Sequence, residues 1–466
     1  MARELTDLFD NPLLAFPPEC WDQTRPDERA LRIKQRLLNN ERQIDVERAR
    51  ITTRSYQRTE GQPMPIRRAT MLLDLAREMS IAIHPDELIV GNRSLLPRMG
   101  VLAPEGAVDW VDRELELLPT RPQDRFQITP EQIRELREDI FPYWRGKTLE
   151  DIVASRLPAR RGISCDVQHA IKGKAFSVNQ TDHAQGHILP DVEGWLQLGI
   201  SGLRGQVEHA QATAPSPAQV FYSSALIALQ AAQLFIERHA DLAATLSAET
   251  QDQVRVAELR EIAEACRWLA TQPARNFREA AQAVWFLFVL LQIESNASSF
   301  SPGRFDQYML PYLKADLEAG RLTLPQAQAW LEHLWCKFNE IVLLRSSSSA
   351  RYFAGFPIGF NIVLGGQLAD GNDAANLLSY MCLRAQAGMG MTQPNLSIRI
   401  HKNSPQDFLR AAAYVISRGS GMPQVFNDEV IIPGQIKHGL PPHDALNYAV
   451  VGCVELSNPG VALGWS

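Results

Sequence analysis

The chain has 466 residues, 45% of them hydrophobic and 21% charged, with a formal net charge of −6. That size and composition describe a globular protein with more than one core or one large α/β body, and the small acidic balance excludes a basic nucleic-acid footprint. Six cysteines without a Cys-x-x-Cys pair exclude a disulfide framework and a thiolate zinc site.

Residues 1–7 contain acids and no apolar run, so no secretory signal is expected there. Residues 1–26 lack periodicity and are expected to form a loose lead-in. From residue 27 onward apolar residues recur at a 3.6-residue period, as in 66–77. Thr129 precedes Pro130 and stands three residues before Gln132, the signature of a capped helix start. Residues 141–190 are richer in Gly, Ser, Asn and Gln and read as looser. A helix is expected over 191–212, with Val192, Trp195, Leu196, Leu203 and Val207 as its buried stripe. Further helices are expected over 217–247, 250–271, 277–297 and 304–346, with breaks at Pro215, Pro273 and Pro302. Residues 27–345 are therefore expected to be mainly helical. The longest apolar run, 283–291, is too short to span a bilayer.

The pattern changes after Arg345. Strands are expected over 357–365, 395–401, 424–432 and 448–451, with helices over 372–387 and 404–419 between them. Such alternation implies an α/β fold with a parallel sheet or barrel over 346–466. In these folds chemistry gathers at the carboxyl ends of strands and in the loops that follow. Gly452, Cys453 and Glu455 directly follow the last expected strand. In an extended backbone residues 453 and 455 would project to one face, pairing a thiol with a carboxylate. Taken alone, Gly-Cys-x-Glu reads as readily as a buried cysteine beside a solvated glutamate.

Other polar clusters carry two readings each. His183 and His187 stand four residues apart, a metal-binding spacing on a helix. Gly186 interrupts that run and no third ligand lies near, so a polar loop lining a pocket is preferred and no metal is expected. In 294–308, Ser301 reads as an N-cap ahead of Pro302, or Ser298 and Ser299 offer hydroxyls to a ligand. Residues 344–355 read as a helix-to-strand linker, and 426–429 (Phe-Asn-Asp-Glu) as a strand with solvated acids. Gly388-Met-Gly390 lacks the third glycine and the following helix of a dinucleotide loop.

Taken in order, the segments 121–126, 141–144, 186–187, 293–296, 303–309, 393–399, 426–429 and 452–455 resemble the glycyl radical enzymes, the pyruvate formate-lyase superfamily. The likeness runs over residues 27–466 and is greatest to members of the formate acetyltransferase 2 type. It implies a ten-stranded α/β barrel with a large helical outer layer, of which this chain would supply the N-terminal part as an incomplete barrel. It implies Cys453 as thiyl radical carrier in a sealed chamber, Glu455 as acid–base group, and His187, Ser298 and Ser299 as substrate-binding residues. Pyruvate formate-lyase proper uses two adjacent cysteines. The single Cys453 after Val451-Gly452 matches the eliminating members instead, so a dehydratase or lyase cleaving a C–C or C–X bond of a small polar substrate is expected. Formate C-acetyltransferase activity is the alternative, and a non-catalytic fragment or split subunit a further one.

The family's Arg-Val-x-Gly-Tyr segment, whose glycine stores the radical, does not occur in residues 1–466. Three expectations follow for the C-terminal glycyl radical domain: a truncated gene that lacks it, a split gene that places it on a complementary polypeptide, or a longer chain of which residues 1–466 are a part. Without it the chain is expected to be inactive. No cofactor is expected on this chain; the glycyl radical is installed by a radical-SAM activase. Expected partners are a small-molecule substrate, that activase, a complementary polypeptide if the gene is split, and a second copy in a homodimer when the protein is complete. Nucleic acid and membrane are not expected, and the expected location is the cytoplasm.

Overall fold

A stretch with apolar residues on every side leaves a helix no solvent face. Residues 277–295 are such a stretch, and the helix Phe277–Ser295 lies in the core with Ala280, Val284, Trp285, Phe288 and Val289 buried. Asn276 caps it by accepting from the Glu279 amide at 2.9 Å, and Asn296 ends it in the left-handed region (φ 45°). A computed structural model of the chain describes residues 2–156, 186–355, 358–460 and 462–465.

Most expected helices recur with shifted ends. Val192–Thr213 bends at Gly199, and Ser216–Glu249, Gln253–Leu269 and Met64–Glu78 follow their patterns. The capping box at Thr129 forms: its hydroxyl accepts from the Gln132 amide at 3.2 Å, and Gln132 Oε1 accepts from the Thr129 amide at 2.9 Å. The single helix expected over 304–346 is two, Phe305–Glu318 and Leu324–Phe338. Gly320 (φ 66°) follows the first, and a second capping box at Thr323 starts the next. Ser301 caps neither.

Residues 1–26 are not a loose lead-in. They contain the helix Ala2–Asp10 and 3-10 turns at Pro12–Ala15 and Pro18–Gln23. Phe16 is fully buried, its ring 5.6 Å from Trp21 and 6.1 Å from Tyr414. A few aromatic anchors hold this segment, and anchors of that kind leave no period. Among the described residues one helix, Ser216–Glu249, is long and apolar enough to cross a membrane by length and composition. The run 283–291 did not reveal it, because its apolar residues alternate with Gln and Ser. It packs along Met64–Glu78 and Gln253–Leu269.

Strands β1 (Ile44–Asp45) and β2 (Gly100–Val101) form a short parallel pair. Strands β3 (Asn361–Gly365), β4 (Asn395–Ile400) and β5 (Gln424–Asn427) form a parallel sheet in that order. Helices Leu377–Met389 and Gln406–Val415 make the crossovers that parallel pairing requires. Strands β6 (Ala449–Val451), β7 (Glu455–Asn458) and β8 (Ala462–Trp465) form an antiparallel meander. On β3 and β4, Ile362, Leu364, Leu396 and Ile398 join the main core. Alternation turns Asn361, Val363, Asn395, Ser397 and Arg399 to the opposite face, where Val363 packs with Leu189 and β6.

The strand expected over 424–432 stops at Asn427, which caps the helix Asp428–Lys437. Asp428 is not a solvated acid. It is fully buried, bidentate to Arg399 at 2.9 Å for both contacts, and accepts from the Tyr448 hydroxyl at 2.7 Å. Arg399 in turn donates to the carbonyls of Tyr448 and Leu446, tying β4 to the approach to β6.

Candidate active site

The apolar Ala449-Val450-Val451 of β6 packs on Leu189 and Val363, and the chain then reverses through Gly452, Cys453 and Val454 into β7. Cys453 therefore sits in a hairpin turn, not in an extended strand, so the side-by-side projection of residues 453 and 455 does not occur. The turn brings the groups together differently. Glu455 Oε2 accepts from the amides of both Cys453 and Val454 at 3.1 Å.

Gly452 is held at both ends of its peptide. Its amide donates to Ser301 Oγ at 3.1 Å, and its carbonyl accepts from Asn361 Nδ2 at 3.0 Å and Asn395 Nδ2 at 3.3 Å. Ser301, Asn361 and Asn395 are all buried. Ser301 also donates to the Gly359 carbonyl at 3.0 Å, fixing its hydroxyl hydrogen away from Gly452. Gly452 has φ 60°, and a Cβ there would stand 2.7 Å from Ser299 Oγ and 3.1 Å from His187 Cδ2. Only glycine meets both demands without rearrangement.

The segment carrying His187 is laid against 298–301 by backbone hydrogen bonds. His187 and Ile188 donate to the carbonyls of Ser298 and Ser299 at 3.2 Å, and Ser301 donates back to Ile188 at 3.0 Å. A Cβ on Gly186 would overlap the Ser298 carbonyl oxygen at 1.5 Å, which explains glycine ahead of the histidine. His187 Nε2 then lies 3.6 Å from Glu455 Oε1, with both side chains about a quarter exposed. Ser299, in the left-handed region (φ 65°), presses its hydroxyl toward Gly452. Cys453, Glu455, His187 and Ser299 thus meet at one turn. Ser298 is buried and adds a backbone carbonyl. His183 lies outside the described residues.

The expected sealed chamber is not formed by the described residues, since Cys453 is exposed and its neighbour Val454 is 60% exposed. Partial burial against the turn, and then the Glu455 charge, push the Cys453 thiol upward. With the residue exposed, the carboxylate is the cause that a substitution can remove. A raised thiol and a carboxylate whose Oε1 faces an imidazole can exchange a hydrogen at sulfur and pass a proton between carboxylate and imidazole.

Sequence reasoning missed Ser301, Asn361 and Asn395 as the cradle of the turn. A usable signal existed: Asn361 and Asn395 each open a strand of apolar character, where asparagine is disfavoured without a specific partner. Their Oδ1 atoms and Ser397 Oγ are buried without a hydrogen-bond partner among the described residues. The sheet face beside the turn is thus polar and only partly satisfied.

A family model described as pyruvate formate lyase-like matches residues 21–466. The chain is 36% identical over 444 residues to an isethionate sulfite-lyase of Nitratidesulfovibrio vulgaris, covering 93% of this chain and 54% of that protein. It is 31% identical over 454 residues to the (2S)-3-sulfopropanediol dehydratase of Klebsiella oxytoca, covering 94% and 54%. The glycerol-bound B12-independent glycerol dehydratase of Clostridium butyricum superposes with a TM-score of 0.89 at 35% identity, over 94% of this chain and 55% of that one. The chain spans about half the length of the curated relatives it matches.

Proposed function

The chain belongs to the pyruvate formate lyase-like family of glycyl radical enzymes, and on that premise we propose that it supplies the reactive thiol of a radical lyase or dehydratase. The observation that carries this reading is the lone sulfur of Cys453 on a turn whose Glu455 carboxylate also approaches His187 at 3.6 Å.

In the proposed reaction Cys453, as a thiyl radical, takes a hydrogen atom from the substrate carbon that bears a hydroxyl. An S–H bond forms, a C–H bond breaks, and the carbon keeps the unpaired electron. Glu455 accepts the hydroxyl proton as the group on the adjacent carbon departs, and His187 holds or protonates that group. The product radical then takes the hydrogen atom back from the Cys453 S–H, which completes the product and restores the thiyl radical. Ser298 and Ser299 hold substrate hydroxyls. A thiol pushed upward stays as S–H at neutral pH. Hydrogen-atom exchange uses that S–H form, whereas acyl transfer by this group would call for a thiolate nucleophile. Acyl transfer would also call for a second sulfur, and neither neighbour of Cys453 is a cysteine. The names of the relatives, a sulfite-lyase and two dehydratases, support elimination from a small polar substrate.

The complete enzyme has a ten-stranded barrel whose remaining strands cover Cys453, a glycyl radical segment made reactive by a radical-SAM activase, and a homodimeric, cytoplasmic form. The test is a Cys453→Ser variant of that complete enzyme, activated without oxygen and offered diols and hydroxysulfonates. The glycyl EPR signal persists and product formation vanishes. Turnover by the variant removes Cys453 from the reaction. An acetyl thioester formed from pyruvate by the unaltered enzyme would establish acyl transfer in its place.

A further inference from the structure

A cavity opens at the amino ends of β3 and β4, with a volume of about 250 Å³. Four cationic side chains line it, Lys34, Arg42, Arg98 and Arg345, against a single carboxylate, Asp124. The elements that bring them together are far apart in sequence. Lys34 comes from the helix Glu28–Asn39, where its ammonium meets the Met389 carbonyl. Arg42 pairs with Asp124 at 3.0 Å, and with one carboxylate against four cations the lining keeps a net positive charge. Arg98 donates to the Leu37 carbonyl at 3.0 Å, and Arg345 lies over the Phe353 ring at 4.8 Å.

Two further observations mark this cavity. Arg98 (φ 62°) and Asp124 (φ 48°) both hold left-handed backbones, a conformation that costs free energy for residues other than glycine. The strained positions are thus two of the charged groups that face the cavity. Gln393, which also lines it, is 4% exposed, and its Oε1 is buried with no hydrogen-bond partner among the described residues. Crowded cations call for an anion, and an unmet amide oxygen calls for a hydrogen-bond donor. Burial, and then the neighbouring Arg42 charge, depress the Arg98 guanidinium, a crowding that a bound anion relieves.

The geometry points to a binding site for a small oxyanion that also carries a hydrogen-bond donor, with hydrogen phosphate or a phosphate monoester as its chemical class. Arg98, Arg42 and Lys34 supply the positive charge, and Gln393 Oε1 accepts from the ligand's hydroxyl. This site is separate from the Cys453 turn and does not depend on the radical reading.

Calorimetric titration of the purified chain with inorganic phosphate, sulfate and acetate tests it. Phosphate binds more tightly than sulfate, which has no proton to offer Gln393, and acetate binds weakest. Arg42→Gln and, independently, Lys34→Gln each weaken phosphate by about tenfold. Gln393→Leu erases the preference for phosphate over sulfate. Thermal melting identifies any variant that fails to fold, and the other variants then decide. Heats absent for phosphate, unchanged in the folded cation variants, or equal for phosphate and sulfate in the unaltered chain overturn the assignment. With glycerol 3-phosphate as a further titrant, binding as tight as phosphate assigns the site to monoesters, and no binding restricts it to the free ion.

Discussion

Glu455 Oε2 accepts the Cys453 amide at 3.1 Å, so the carboxylate is tied to the very turn that presents the sulfur. Its negative charge is therefore held near the thiol by the turn itself. The charge opposes thiolate formation, in the same direction as the partial burial of the group. Alkylation of Cys453 by iodoacetamide, followed by peptide mass spectrometry, should rise with pH along a curve displaced above that of an ordinary thiol. Glu455→Gln removes the charge, so the curve moves to lower pH. Cys20, also exposed, serves as the internal comparison and should not move.

The second oxygen of Glu455 remains available to His187 at 3.6 Å. Replacing the acid by its amide keeps the shape of the turn and an acceptor for its amides, while removing a base. In the complete, activated enzyme Glu455→Gln should lower turnover by about 10²–10⁴-fold, with little change in melting temperature. A near-normal rate would leave Glu455 as a turn-forming residue alone.

Gly452→Ala tests the cradle. The new methyl group would meet Ser299 Oγ at 2.7 Å, in a backbone conformation that alanine disfavours. A loss of about 1–3 kcal/mol in urea unfolding is expected. Ser299→Gly, made together with it, should restore part of that loss by removing the clash but not the strained φ.

The Arg399–Asp428 pair is fully buried on both sides. Arg399→Met leaves Asp428 charged and without its cation, at a cost of about 3–5 kcal/mol. The double variant Arg399→Met with Asp428→Leu should lose less than the sum of the two single changes, because the stranded charge is gone. Denaturant midpoints for the two singles and the double decide this, and simple additivity would contradict it.

Local pattern was enough for much of the framework. The apolar period gave away Val192–Thr213 and Phe277–Ser295, Thr129 and Gln132 announced their own capping box, and the β-branched run before Gly452 marked β6. Each of these is written by residues within one or two turns of one another. The family likeness, too, was legible in short segments, down to the single cysteine. Residues 1–26 escaped because they are held by Phe16 and Trp21 against Tyr414, nearly 400 positions away, and anchors at that distance have no period. For the same reason Asp428 looked solvated until Arg399 was found beside it.

The thiol, its carboxylate and the histidine were thus determined as candidates by sequence alone. Their geometry was decided only in three dimensions. Gly452 is gripped by Ser301, Asn361 and Asn395, which lie 151, 91 and 57 positions away along the chain. A hydrogen bond from a distant side chain to a backbone atom depends on where two strands come to rest. Nothing in the local order of residues records that.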